Sequence, residues 1–581
     1  MEGEEKYTIG YLIKNIGTKK SHQIIKKGVI EMTHNAKQAH NGKLPNYDAI
    51  VIGAGFSGLY MLHRLREAGC SVQVYEAGSD VGGTWYWNRY PGARCDIESM
   101  YYNYTFSEEL LGEWNWSSRY AAQPEILNYI HFVADKFDLR RNIQFNTRVT
   151  TASYDEKSNH WSIHTNNGLN VTAKYLITAL GCLSAANKPN FDGIVRFKGE
   201  IYHTGDWPHE KVNFKGKRVG VIGTGSSGVQ AIPVIAKEAD QLTVFQRTPQ
   251  YSTPAHNHSI DEKVIKETWT NYHELRKFMQ ASIHGIPDIP RDKSALEDEI
   301  GERQLNYEKA WNNGGLFTLM YCYNDIVANE AANETASEFI RSKIKEIVDN
   351  PDIAEKLMPS YHYATKRPII DTDYFETYNR NNVSLVDLKT TPIKEVTPIG
   401  VRTTEAEHEL DVIVFATGFD AITGPLFNMD IRGKDGVTLK DKWAGGADIK
   451  TYLGIAASGF PNLFMITGPE SPSVLSNMIV SIEQHVEWIA DCIDYLGKNK
   501  IEKIEAKVEA EASWKKHCME VAQYTLLPKA DSWYMGANIE GKPRGSLVYM
   551  GGVGQYRQIC EDVAIKGYEG FSMEHIPEVS N

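Results

Sequence analysis

The chain has 581 residues, of which 42% are hydrophobic and 23% charged, and its formal net charge is −12. That length predicts about three or four compact units. The composition is typical of globular proteins, which argues against a fibre, a disordered chain or a membrane bundle. The acidic balance argues against nucleic-acid binding through overall charge, and no apolar run reaches the roughly 18 residues of a membrane span. We therefore predict neither a nucleic-acid partner nor a membrane partner.

The N-terminal region and the cysteines carry no recognisable chemistry. Residues 1–45 contain several lysines but no uninterrupted apolar segment, so they do not resemble a secretory signal and are predicted to form a polar extension. The seven cysteines are scattered and contain no Cys-x-x-Cys pair, which argues against a disulfide framework or a zinc site. We predict buried thiols in a cytoplasmic protein, and no bound metal.

A first dinucleotide-binding unit is predicted to begin at Asn46. The apolar run 49–52 predicts a buried strand, the loop GAGFSG follows at 53–58, and a helix and a second strand lead to Glu76. Glu76 stands 18 positions after the third glycine, where such units place the acid that binds a ribose. The loop and the helix N-terminus favour a pyrophosphate. The predicted cofactor contacts here are Gly53, Gly55, Ser57, Gly58 and Glu76.

The same arrangement recurs from Arg218, with the loop GTGSSG at 223–228. The residue equivalent to Glu76 is Gln246, and Arg247 follows it. An amide and a guanidinium can bind a 2′-phosphate, which a carboxylate would repel. We therefore predict FAD in the first unit and NADPH in the second, although a surface position for Arg247 stays an alternative. The predicted contacts here are Gly223, Thr224, Gly225, Ser226, Ser227, Gly228, Arg247 and Thr248.

The remaining elements complete a predicted α/β fold with two Rossmann-like dinucleotide-binding domains, for FAD and NADP, and a helical insertion. Apolar strands at 175–181 and 412–418 each end in a glycine and are predicted to approach a bound dinucleotide. Helices are predicted at about 261–279, 294–312 and 333–349. The predicted ranges are 46–185 and 419–581 for the FAD domain with the C-terminal segment, 186–250 and 341–418 for the NADP domain, and 251–340 for the insertion.

Two segments indicate which chemistry the nucleotides serve. Disulfide reduction needs a cysteine pair after the first glycine loop, and none is present. The chain instead carries GGTWYWNRYPGARCD at 82–96 and FKGEIYHTGDWPH at 197–209. These segments resemble the G-G-x-W…Y-P-G-x-x-x-D and F-x-G-x-x-x-H-x-x-x-W-P signatures of type I Baeyer–Villiger monooxygenases. The resemblance extends from about Asn46 to Gly570, and several runs are most similar to the phenylacetone monooxygenases of that family.

The resemblance implies an activity and assigns residues to it. Enzymes of this family reduce FAD with NADPH, form a flavin C4a-peroxide with O2, and convert a ketone to an ester or lactone. Arg367 matches the arginine that stabilises the peroxide anion, for which a permanent cation is suited. Asp96 matches the carboxylate that orients this arginine, and Lys366 matches a lysine that binds the 2′-phosphate. Further matches to cofactor contacts are Thr84, Trp85, Arg94, Cys95, Asp96, Tyr102, Met478 and Trp533.

Several features stay open at this stage. In the second signature, His203 is predicted to pin the linker between domains, and Trp207 to be a packing anchor. Glu470 and Val474 stand where the similar loop of phenylacetone monooxygenases has glycine and alanine, so we expect Glu470 to alter the loop conformation and the bulkier Val474 to narrow the substrate pocket.

The predicted partners are a small ketone and O2, with sulfoxidation of thioethers as a side reaction, and the protein is predicted to be a monomer. One alternative is an N- or S-hydroxylating flavin monooxygenase of the same two-nucleotide plan. A second is a flavin-binding redox sensor that does not turn over, and a third is an NADPH oxidase that releases peroxide.

Overall fold

The computed structural model describes residues 44–539 and 541–576, so the predicted extension at 1–45 lies almost entirely outside the described residues. The strands are Asn46–Ile52, Val72–Tyr75, Ile143–Gln144, Val149–Asp155, His160–Thr165, Asn170–Thr178, Glu200–His203, Arg218–Ile222, Gln241–Gln246, Ser252–Pro254, Ile369–Asp371, Val383–Asp387, Ile393–Thr397, Gly400–Thr403, Glu407–Glu409, Val412–Phe415, Asp430–Arg432, Leu463–Met465, Ile501–Ala506 and Phe571–His575. The α-helices are Phe56–Glu67, Thr84–Trp87, Glu108–Glu113, Gln123–Lys136, Ser226–Glu238, Glu262–Thr270, Tyr272–Ala281, Ile300–Asn313, Glu330–Ile347, Pro351–Leu357, Gly424–Phe427, Leu439–Lys442, Met478–Lys498, Val508–Ala522 and Val553–Ile565.

The first glycine loop follows a strand at the centre of an eight-stranded sheet. Strand Asn46–Ile52 pairs in parallel with Val72–Tyr75 on one side and with Asn170–Thr178 on the other. Residues 49–52 are buried in succession, as expected for a parallel strand covered on both faces. Strand Leu463–Met465 joins from the C-terminal part of the chain, so this sheet is built from segments far apart in sequence.

The second glycine loop follows a strand of a separate five-stranded sheet. The spatial order of its strands is 383–387, 241–246, 218–222, 412–415 and 200–203, and every neighbouring pair is parallel. The strand from 412, predicted to approach the nucleotide, lies directly beside the strand that leads into the loop. Two separate sheets with parallel cores confirm the predicted α/β fold class.

Helices predominate between the two parts of the second sheet. The predicted helix at 261–279 is divided into Glu262–Thr270 and Tyr272–Ala281, because Asn271 adopts non-helical angles of φ −112° and ψ 38°. The helix predicted at 294–312 begins only at Ile300. The third predicted helix begins three residues earlier than expected, at Glu330, where the Asn329 side chain accepts hydrogen bonds from two backbone N–H groups.

No helix within residues 44–539 and 541–576 is long and apolar enough to cross a membrane. Each of the seven cysteines is a free thiol, and five of them are buried.

Candidate active site

One cavity of about 1250 Å³ lies where the carboxyl ends of the parallel strands of the two sheets face each other. Both glycine loops line it, although they are about 170 residues apart in sequence. The structure brings nearly all of the predicted site residues to its wall, namely Gly53, Gly55, Ser57, Glu76, Thr84, Trp85, Arg94, Cys95, Asp96, Tyr102, Gly223, Thr224, Gly225, Ser226, Ser227, Arg247, Thr248, Lys366, Arg367, Met478 and Trp533.

Gly58 and Gly228 do not line the cavity, because they pack each helix against its own loop. A Cβ atom on Gly58 would lie 1.8 Å from the carbonyl oxygen of Gly53, and one on Gly228 would lie 2.3 Å from that of Gly223. The first glycine of each loop has a φ above +100°, which side-chain-bearing residues rarely adopt. The glycines therefore permit a tight turn from strand to helix at each loop, and a helix N-terminus exposed at such a turn suits the pyrophosphate of a dinucleotide.

Glu76 is hydrogen-bonded to the backbone of the first glycine loop. Its carboxylate accepts hydrogen bonds from the backbone N–H of Ala54 at 2.7 Å and of Gly78 at 2.6 Å. Burial raises the pKa of Glu76, and these two hydrogen bonds oppose that rise. Each carboxylate oxygen has a second lone pair, so Glu76 can still accept a hydrogen bond from a ribose hydroxyl in the cavity.

The second unit presents two cations instead. Arg247 and Lys366 line the same cavity, and within the described part of the chain neither side chain hydrogen-bonds or forms an ion pair. The Lys366 ammonium lies 5.0 Å from the centre of the Tyr361 ring. Burial, followed by the charge of Arg247, lowers the pKa of Lys366. The Asp531 carboxylate, also on the cavity wall, opposes this lowering but is paired with Arg544. Two neighbouring cations that form no ion pair in the described residues favour an anion such as a 2′-phosphate.

Gln246 does not share in this anion site. Its side chain is buried, donates a hydrogen bond to the Lys356 carbonyl at 2.7 Å and is absent from the cavity wall. Gln246 is the last residue of its strand, and of the dipeptide Gln246-Arg247 only the arginine, which follows the strand, lines the cavity.

Arg367 is held in a fixed orientation between the two units. Its Nε and Nη2 atoms donate to the two Asp96 oxygens at 2.7 and 2.8 Å, and its Nη1 atom donates to the Val474 carbonyl at 2.6 Å. The side chain is 20% exposed and lines the cavity. Burial alone would lower the pKa of Arg367, but Asp96 outweighs burial and holds that pKa above its usual value. The guanidinium is therefore a permanent positive charge.

Aromatic and thiol groups surround this ion pair. The Trp85 Nε1 atom donates to the Tyr102 hydroxyl at 3.2 Å, and burial raises the pKa of Tyr102 and of Cys95. Both groups are neutral at physiological pH, so Cys95 is not a nucleophile here. The Arg94 side chain donates a hydrogen bond to the Tyr120 carbonyl.

His203 is the last residue of strand Glu200–His203 in the second sheet, and Trp207 follows four residues later. The His203 Nδ1 atom accepts a hydrogen bond from the Gly205 N–H at 3.0 Å, while Nε2 lies 3.2 Å from both the Asn187 carbonyl and the Thr417 hydroxyl. Burial lowers the pKa of His203, so the ring is neutral and tied on both sides. Trp207 is buried. These contacts are consistent with the predicted roles, in which His203 fixes the segment between the domains and Trp207 packs in the interior.

Glu470 and Val474 occupy different environments. Glu470 has a φ of +65°, and its carboxylate accepts from the Thr451 N–H and hydroxyl, both at 2.9 Å, away from the cavity. Val474 lines the cavity, so only this second departure changes the wall directly.

The structure also brings residues to the cavity that carried no sequence signal. Arg148 follows strand Ile143–Gln144 and lines the wall near Glu76, whose pKa it lowers. Gln230, on helix Ser226–Glu238, lines it from the second unit. Arg148 lies beyond the carboxyl end of a short parallel strand, where such sheets bind ligands, but this strand is not among those predicted from the sequence.

Two Rossmann-type units that open into one cavity define an oxidoreductase that uses two dinucleotides. Residues 47–254 match the family model FMO-like, described as flavin-binding monooxygenase-like. A protein named Baeyer-Villiger monooxygenase from Pseudooceanicola batsensis is 47% identical over 536 residues, which cover 92% of this chain and 97% of that protein. The chain therefore belongs to the Baeyer–Villiger monooxygenase family, as the signatures predicted.

Two further similarities bear on substrate class. The crystal structure of cyclohexanone monooxygenase from Rhodococcus sp. Phi1 bound to NADP+ has a TM-score of 0.90 and 44% identity, covering 92% of this chain and 100% of that one. Phenazine N-monooxygenase PhzNO1 from Lysobacter antibioticus is 44% identical over 535 residues, covering 92% and 98%. These relatives carry other names, so the expected closeness to phenylacetone monooxygenases stays a prediction.

Proposed function

We propose that this protein uses FAD, NADPH and O2 to insert one oxygen atom beside a ketone carbonyl, which gives an ester or lactone. The observation that carries the proposal is the Arg367–Asp96 pair on the wall of the cavity that both glycine loops share. Family membership supports the reaction class, and the cyclohexanone monooxygenase likeness supports a ketone as substrate.

The chain's own residues would divide the cofactors between the two units. The loop 53–58, Glu76 and Arg148 would hold FAD, and the loop 223–228, Arg247 and Lys366 would hold NADPH, with the two cations on its 2′-phosphate. Bound FAD would supply the redox chemistry, taking hydride from NADPH and activating O2. The protein would position both nucleotides and keep the cavity between them free of bulk water.

Arg367 would stabilise the negative charge that develops while oxygen is transferred. A guanidinium fixed by Asp96 and the Val474 carbonyl needs no rearrangement when that charge appears. Asp96 orients the arginine but also offsets part of its charge, so the bidentate geometry is a compromise between placement and field strength. We assign Arg367 as the catalytic residue and Asp96 as the residue that positions it.

The test is turnover of a ketone panel with cyclic, linear and aryl members by FAD-loaded protein. We expect NADPH consumption to rise with at least one ketone and mass spectrometry to detect the ester or lactone. NADPH consumption that no ketone changes would contradict the proposal and favour a redox sensor. Stoichiometric hydrogen peroxide without ester would favour an uncoupled oxidase. Thioethers in the same panel test the proposed sulfoxidation.

N-oxygenation of a heteroaromatic amine is a second candidate, because phenazine N-monooxygenase is similar over almost the whole chain. Arg367→Ala distinguishes the two reactions. Ketone oxygenation requires the fixed cation and should be lost, whereas oxygen transfer to an electron-rich nitrogen should persist if N-oxygenation is the principal activity.

We further propose a cytoplasmic monomer, with domain boundaries as predicted from the sequence. Seven free thiols among the described residues suit a reducing compartment. Light scattering after size-exclusion chromatography tests the oligomeric state, and limited proteolysis tests the boundaries.

A further inference from the structure

Gln230 joins the second nucleotide unit to the segment that carries Asp96. It lies on helix Ser226–Glu238, shortly after the second glycine loop. Its carboxamide oxygen accepts from the Tyr90 hydroxyl at 2.8 Å and from the Arg94 N–H at 3.3 Å, and its amide nitrogen donates to the Arg94 carbonyl at 3.0 Å. The amide thus pairs with the Arg94 backbone in both directions, and its donor and acceptor ends are both satisfied.

Gly92 and Ser227 strengthen this connection. Gly92 has a φ of +82°, and a Cβ atom there would lie 2.3 Å from the Gln230 carbonyl oxygen. Only a glycine permits this close approach of two backbones. Burial raises the pKa of Tyr90, and Ser227, within the glycine loop itself, opposes that rise from close by. The contact is therefore a built interface between the loop that would bind NADP+ and the segment 90–96.

The opposite edge of this segment is also fixed. The Cys95 N–H donates to the Ala121 carbonyl at 3.1 Å, and the Gln123 N–H donates to the Ala93 carbonyl at 2.9 Å. Asp96 follows directly and forms the bidentate pair with Arg367. The place of the Asp96 carboxylate is thus set by two edges, of which one is the helix Ser226–Glu238.

We propose that Gln230 is a positioning residue that transmits occupancy of the NADP site to Asp96 and so to Arg367. This inference rests on the proposed function. A nucleotide at 223–228 orders the start of the helix through its phosphate contacts. Gln230 then fixes the Arg94 backbone, and Asp96 takes the position that orients the guanidinium. Such a contiguous hydrogen-bonded path, with a nucleotide-dependent element at one end, can couple two sites.

The direct test is hydrogen–deuterium exchange of the peptide covering residues 90–97 in FAD-loaded protein, with and without NADP+. In the unchanged protein we expect NADP+ to slow exchange in this peptide. Gln230→Leu keeps the side-chain size and removes all three hydrogen bonds, so NADP+ should still bind but no longer slow exchange. Unchanged protection in Q230L would overturn the proposal. A tenfold loss of NADP+ affinity in Q230L would also overturn it, because Gln230 would then be a direct cofactor contact.

Turnover gives a second readout. In Q230L the ratio of hydrogen peroxide to ester should rise about tenfold, the shift expected from losing two or three hydrogen bonds of ordinary strength. In Gly92→Ala the added Cβ atom clashes with the Gln230 backbone, while no side chain of the cavity wall is changed. This variant should therefore show the same rise in the ratio of hydrogen peroxide to ester. Glu238→Gln, at an exposed position of the same helix, is the matched control and should not. An unchanged ratio in both Q230L and G92A would contradict the proposal.

The two readouts separate this inference from the proposed function, and FAD content reports whether each variant has folded. If the unchanged protein makes no ester from any ketone, the proposed function fails, whereas the exchange experiment still decides the role of Gln230.

Discussion

The two glycine loops share a backbone design but differ in what stands beside them. In the first unit, the Glu76 carboxylate is buried and accepts hydrogen bonds from two N–H groups of its own loop region. In the second, the equivalent Gln246 turns away to the Lys356 carbonyl, and the cations Arg247 and Lys366 face the cavity. The charged group of the first unit is therefore hydrogen-bonded within the protein, whereas the two cations of the second unit are available to bind an anionic ligand.

This difference explains how one cavity can sort two similar dinucleotides. A carboxylate tied to the loop repels a 2′-phosphate and accepts from free ribose hydroxyls. Two cations stand together in the second unit, where burial and then the charge of Arg247 lower the pKa of Lys366. That arrangement does not stabilise the fold, which makes it a candidate ligand site.

The largest effect is expected at Arg367, where the two units meet. Arg367→Ala removes the fixed cation, so ester formation should fall about 100- to 1000-fold, the cost of removing one preorganised stabilising group. NADPH oxidation should continue with release of hydrogen peroxide, since the groups assigned to NADPH binding are intact. Product and peroxide assays measure both. Ester formation at an unchanged rate would contradict the assignment.

Removing both cations of the second unit should abolish its preference for a nucleotide that carries a 2′-phosphate. In Arg247→Ala with Lys366→Ala, we expect the KM for NADPH to rise about 10- to 100-fold, as for the loss of charge-assisted hydrogen bonds. The KM for NADH should change less than about twofold by the same argument. Lys440→Ala, at an exposed cation outside the cavity wall, is the control. Equal losses for NADPH and NADH would show that the 2′-phosphate lies elsewhere.

A change at Glu76 should affect only the first unit. In Glu76→Gln the amide nitrogen cannot accept, so one backbone N–H loses its partner and FAD should bind about tenfold more weakly. Titration of the apoprotein with FAD measures this. At saturating FAD the KM for NADPH should be unchanged; weaker NADPH binding with normal FAD affinity would reverse our assignment of the two units.

Glu470 belongs to neither glycine loop, and its substitution is expected to give the smallest effect, a change in how stability depends on pH. Burial raises its pKa to about 7, with the Thr451 hydrogen bonds and Lys515 opposing and Glu511 adding to the rise. Because the folded-state pKa exceeds that of the unfolded chain, the folded protein binds the proton more tightly. The stability that this gives is complete at low pH and is lost as pH rises to about 7.

Glu470→Gln keeps the acceptor for Thr451 and removes the titration. The fall in the free energy of unfolding between about pH 4.5 and 7.5 should lessen by about 1–3 kcal/mol. Denaturant unfolding across this pH range measures the change, and cofactor preference should stay as in the unchanged protein. An unaltered pH dependence would show that Glu470 does not titrate in this range.

The glycine loops are predictable from the sequence because each needs glycines at positions that spacing alone reveals. Arg367 and Asp96 are 271 positions apart, so no local pattern joins them, and only the family resemblance does. Gln230 carries no motif, since its role depends on a hydrogen-bonded contact with Arg94 on a distant segment. The interruption at Asn271 is not predictable from periodicity, because a single residue's backbone angles decide it. The sequence predicted that Gln246 shares the anion site with Arg247, which is wrong because the Gln246 side chain is tied to the Lys356 carbonyl from a distant segment.

The central claim is that one atom of O2 enters a ketone beside its carbonyl. The most direct measurement is mass spectrometry of the product formed under 18O2 from a ketone that the protein turns over with NADPH. We predict an ester or lactone that carries one 18O atom, with the other oxygen atom released as water. Product that contains no 18O, or NADPH oxidation that yields only hydrogen peroxide with every ketone tested, would contradict this account.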